Sequence, residues 1–85
     1  MSMRETIQQK LTKAFNPQYI TVEDESHNHS VPDGAESHFK VVMATEAFAD
    51  TRAVKRHQAV YAVLQEELAG SVHALALHLY TPEEW

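Results

Sequence analysis

The chain is 85 residues long, 44% hydrophobic and 22% charged, with a formal charge of −5 and no cysteine. That length bounds it to one domain with a small core, and the composition is globular rather than disordered or membrane-spanning. Without cysteine there are no disulfide staples, no thiol nucleophile and no all-thiolate metal site, and the acidic balance is a poor one for coating nucleic acid.

Ser2 followed by Glu5 is a capping-box pattern. Ile7, Leu11, Ala14 and Phe15 then recur at helical spacing, which predicts an amphipathic helix over 3–15 that stops at Asn16-Pro17. Tyr19 to Glu23 is β-branched, aromatic and alternating, so it reads as a strand. From Asp24 to Ser37 the chain is polar, acidic and punctuated by Pro32 and Gly34, a loop long enough to suggest function. His38 to Ala44 alternates again, with Phe39, Val41 and Met43 on one side, giving an antiparallel ribbon with the first strand.

A second helix is expected from Asp50-Thr51, either residue able to cap it, with Val54, Tyr61, Leu64 and Leu68 on its apolar face and Val60 and Val63 widening it. Gly70 stands where a left-handed C-terminal cap belongs. Val72 to Tyr80 reads as a strand with His73, Leu75, Leu77 and Leu79 on one parity, and Thr81-Pro82-Glu83-Glu84 as a further helix start. The predicted fold is a single α+β domain over 1–85, in the order α-β-β-α-β. Two helices cover one face of a three-stranded sheet.

Gly34 and Gly70 are the only glycines, and their spacing excludes a phosphate-cradling loop. No Ser-His-Asp pattern is legible, and adjacent strand residues such as Ser37 and His38 point to opposite faces, so an enzyme is not expected. No apolar run approaches the ~20 residues of a bilayer span and the N-terminus lacks a secretion signal, so the expected compartment is a reducing cytoplasm.

Histidine is the one compositional excess, at positions 27, 29, 38, 57, 73 and 78. His73 sits at the rim of the apolar side, either bonded to backbone or available to iron, for which imidazole is a good ligand. His27 and His29 lie in the acidic loop. His38 and His78 read as outward sheet residues, and His57 as a structural hydrogen-bonding group on the second helix. Arg52, Lys55 and Arg56 gather three of the seven basic residues at that helix's start. They form either a solvated face or a phosphate contact, with Lys40 a further candidate.

Three segments carry a family likeness: Ser37-His38-Phe39-Lys40-Val41-Val42, then Arg56-His57-Gln58-Ala59-Val60-Tyr61, then Val72-His73-Ala74-Leu75-Ala76-Leu77-His78. Together with the loop His29 to Ser37, they resemble the BolA family over nearly the whole chain. The resemblance implies a small α+β fold like a type II KH module, though the Gly-x-x-Gly clamp of nucleic-acid-binding KH domains is missing here. It implies a non-catalytic partner of a monothiol glutaredoxin, holding a [2Fe–2S] cluster at a shared interface. His73 matches the family's cluster ligand. His29 matches its loop histidine, and His27 could substitute for it. Such a cluster needs four ligands, and a chain without cysteine would borrow sulfur from the glutaredoxin and its glutathione. The family's other association is transcriptional regulation through duplex DNA, for which Arg52, Lys55 and Arg56 are the candidate contacts.

Overall fold

The computed structural model describes residues 2–26 and 36–85. Helix α1 spans Met3–Phe15 and opens on the predicted capping box: Glu5 N–H donates to Ser2 Oγ at 3.2 Å, and Ser2 N–H reaches back to Glu5 Oε1 at 3.4 Å. Its inward stripe buries Ile7 and Leu11 completely. The helix ends on Asn16, whose N–H still bonds Thr12 O at 2.9 Å and whose left-handed backbone (φ 45°) turns the chain out of the helix. Asparagine tolerates this conformation because its short side chain bonds locally.

Strands β1 (Tyr19–Asp24) and β2 (His38–Ala44) pair antiparallel, with Val22 opposite Val41. After β2 come a 3₁₀ turn over Glu46–Phe48, helix α2 (Ala53–Val63), helix α3 (Gln65–Ala69) and strand β3 (Ala74–Tyr80). β3 pairs parallel to β2, Phe39 beside Leu75 and Val41 beside Leu77, so the sheet is mixed in the order β1-β2-β3. A parallel neighbour requires a crossover, which the helices supply. Ile7, Leu11, Val60 and Leu64 pack on Val22, Phe39, Val41, Met43 and Leu79 in one core.

The element order matches the expectation, with five local differences. The second helix is broken at Leu64 (φ −102°, ψ 19°) into α2 and α3. Its buried face centres on Val60 and Leu64, while Val54 is 67% and Tyr61 41% exposed. Those two lie about 100–120° round the helix from Val60, too far to share its contact with the sheet. Neither Asp50 nor Thr51 caps α2, because Arg52 occupies the N-cap and makes no side-chain cap bond. Gly70 is not left-handed either (φ −101°); its N–H is satisfied by Glu66 O and Glu67 O. The terminal helix signal produces one turn, in which Thr81 N–H donates to Glu84 Oε1 at 2.8 Å and Glu84 N–H to Thr81 Oγ1 at 3.3 Å.

Candidate functional site

The end of the sheet where β2 begins is organised by two buried serines. Ser26 Oγ accepts the N–H of Ser37 at 3.0 Å and of His38 at 3.1 Å, while its own N–H bonds Asp24 Oδ1 at 2.9 Å. One hydroxyl therefore closes the root of the segment 27–35 onto the start of β2. Ser37 O in turn accepts the N–H of His73 at 2.7 Å and of Ala74 at 3.2 Å. Val72 beside it is buried, with its N–H on Glu67 O. His73 is thus held on both sides by backbone bonds while its own side chain is exposed.

His73 lies beyond the rim that parity assigned to it. β3 starts one residue later, so the alternation that sets Leu75 and Leu77 inward does not govern position 73. The ring of His38 lies 6.4 Å from that of His73, centroid to centroid. Ser37 Oγ is 2.8 Å from His38 Nδ1, so these neighbours do not point apart as strand alternation predicts, because β2 begins only at His38 and Ser37 lies outside it. His38 is half-buried, and its closeness to His73 was not readable from residues 35 positions apart; the only signal was the register of a parallel pair. His27 and His29 lie outside the described residues. His57 is half-buried on α2 and His78 is exposed on β3. Among the described residues no group of three or more His, Asp or Glu side chains is arranged to hold a metal ion.

The three cations of α2 divide into two kinds. Arg52 and Lys55 are exposed. Arg56 is turned into the fold: Nε donates to Thr51 O at 2.7 Å, the terminal nitrogens to Leu79 O at 3.2 Å and Phe48 O at 3.3 Å, and two further bonds reach the carboxylate of Glu84 at 2.6 and 3.2 Å. These use every N–H of the guanidinium. Lys40 sits on β2 between the buried Phe39 and Val41, so it projects from the sheet face opposite the helices and does not extend the α2 patch.

A family model described as BolA-like protein matches residues 11–84. The chain belongs to the BolA family. It is 52% identical over 85 residues to a protein of Haemophilus influenzae named DNA-binding transcriptional regulator BolA, covering 100% of this chain and 82% of that one. The Escherichia coli protein of the same name is also 52% identical, with 100% and 81% covered. Among solved structures, BolA1 from Arabidopsis thaliana superposes with a TM-score of 0.94 at 33% identity, over 100% of this chain and 97% of that one. The BolA fold, a small single domain with a three-stranded mixed sheet, is the one described above. No helix of the described residues is long and apolar enough to cross a membrane.

Proposed function

We propose that the chain is a non-catalytic partner of a monothiol glutaredoxin and shares a [2Fe–2S] cluster with it, acting in iron–sulfur trafficking in a reducing cytoplasm. Its ligands to the cluster are His73 and a loop histidine, His29 with His27 as substitute. The observation that supports this is the exposed imidazole of His73, tied through Ser37 O to the sheet end where the loop is rooted. His29 follows Ser26 by three residues, a reach of up to ~10 Å, so a loop imidazole and His73 can meet at one cluster. Replacement of two thiolates by two imidazoles at one iron is established chemistry. The remaining two ligands are then the glutaredoxin cysteine and glutathione.

Mixing the chain with cluster-loaded monothiol glutaredoxin should change the visible spectrum. His73→Ala should abolish that change while the far-ultraviolet circular dichroism is retained, since losing a ligand weakens a metal site by about tenfold or more. His29→Ala should make the mixed cluster more labile to chelators, and His27→Ala less so. An unaltered spectrum with His73→Ala removes His73 from the site.

A second reading, direct DNA binding and transcriptional regulation, is favoured by the names of the bacterial relatives at 52% identity. Arg52 and Lys55 are its contacts, because Arg56 has no N–H left for a phosphate. The two roles are compatible, with the cluster complex controlling the regulator.

A further inference from the structure

We infer that β3 is a self-pairing edge, to which a second copy of this chain adds its own β3, antiparallel, about a twofold axis through Ala76. In the order β1-β2-β3 the last strand has a neighbouring strand on one side only. Tyr80 O accepts the N–H of Thr45 at 2.9 Å, so Tyr80 turns its backbone toward β2. By the alternation of a parallel ladder Ala74, Ala76 and His78 do the same, while Leu75, Leu77 and Leu79 turn their N–H and C=O groups to the free side. There Leu79 O is taken by Arg56 Nη1 at 3.2 Å, which closes that end of the edge. Among the described residues nothing bonds the outward N–H and C=O groups of Leu75 and Leu77.

Charge and register both select a second copy. A chain with a formal charge of −5 repels its own copy, so self-association needs a stretch without carboxylates. β1 ends in Glu23 and Asp24, charges that guard an outer strand against addition, whereas Ala74–Tyr80 holds no Asp, Glu, Lys, Arg or Pro. Pairing about Ala76 sets Leu75 opposite Leu77 of the second copy, and Leu77 opposite its Leu75. These two pairs satisfy all the open groups in four N–H···O bonds. Ala76 then faces its own counterpart at a Cα separation of about 4.5 Å, a close approach that two methyl groups permit. A register centred on Leu77 would set Leu75 N–H against Leu79 O, which Arg56 already holds. Leu75 and Leu77 are only half-buried on the core side, so pairing them withdraws apolar surface that the single chain leaves in water. So short a contact falls below the roughly 1,200 Å² of a standard interface, which makes the dimer weak and reversible. The inference rests on neither the cluster nor the DNA reading.

The test is sedimentation equilibrium of the untagged chain. The mean mass should rise from that of one chain toward twice that value between about 10 µM and about 1 mM, the range of a weak contact. Over the same range amide exchange at Leu75 and Leu77 should slow severalfold, while exchange in β1 stays constant. Ala76 is exposed, so Ala76→Glu and Ala76→Lys should both fold, as circular dichroism will show. Each sets like charges directly across the axis and should remain monomeric. An equimolar mixture of the two variants should associate again, because opposite charges then face each other. Thr21→Lys, which places a charge on β1 instead, should dimerise as the wild type does. A wild type that stays monomeric at the highest concentration overturns the proposal. So does undiminished association of Ala76→Glu, or a mixture of the two variants that stays monomeric.

Discussion

Arg56 and Glu84, 28 positions apart, form a two-point ion pair at 2.6 and 3.2 Å, with the guanidinium side chain only 12% exposed. The same guanidinium bonds three backbone carbonyls, from the 3₁₀ turn, the approach to α2 and the end of β3. It also lies 5.7 Å from the ring centroid of Phe48, a cation–π contact. A residue read from the sequence as a candidate phosphate contact is therefore the clamp that joins the crossover to the last strand.

Arg56→Gln should be strongly destabilising. It leaves three carbonyls without their donor, and unsatisfied groups cost about 1–3 kcal/mol each before relaxation and water offset part of it. A net loss of about 2–4 kcal/mol is expected from urea unfolding. Arg56→Lys should not rescue it, since an ammonium cannot reproduce the planar fork. A loss within experimental error would show that the clamp does not matter.

The pair also gives a pH signature. Hydrogen bonds from Arg56, then from Thr81, lower the Glu84 carboxyl from 4.5 to about 2. A folded-state value below the unfolded one stabilises the fold above the unfolded value and ceases to do so as the group protonates. The melting-temperature gap between wild type and Glu84→Gln should thus be full above about pH 4.5 and close as the pH falls toward 2. A gap independent of pH in that window contradicts the assignment.

Ser26→Ala removes one oxygen that accepts two backbone N–H groups at a buried position. The expected loss is about 1–3 kcal/mol. Hydrogen exchange should show it locally, with faster exchange at Ser37 and His38 than at the central strand residues. Uniform acceleration across the sheet would mean that Ser26 is only a generic core residue.

Direct DNA binding, if it occurs through Arg52 and Lys55, should be weak and steeply salt-dependent. Two phosphate contacts correspond to a log–log slope of about −2 in salt concentration. Arg52→Gln with Lys55→Gln should flatten it to near zero, while His73→Ala leaves DNA affinity unchanged because it lies on another element. No duplex binding at low salt would end that reading.

The sequence by itself determined the local elements. Alternation over His38–Ala44, the helical stripe of Ile7 and Leu11 and the Ser2–Glu5 box all express backbone periods of two and 3.6 residues, which a short window contains in full. It also carried the BolA signature, because those motifs are contiguous. Only the tertiary structure decided which distant groups meet: Ser37 with His73, Arg56 with Glu84, and Lys10 with the buried Glu67 at 2.6 Å. Parity separated His38 from His73 because it assumes both lie within strands, and His73 lies just before one. The phase of α2 was open for a similar reason, since its sequence offers two overlapping apolar stripes. Val60 faces the sheet, and Val54 and Tyr61 do not, because contact with α1 and β3 selects one rotation of the helix, and no local period contains that choice.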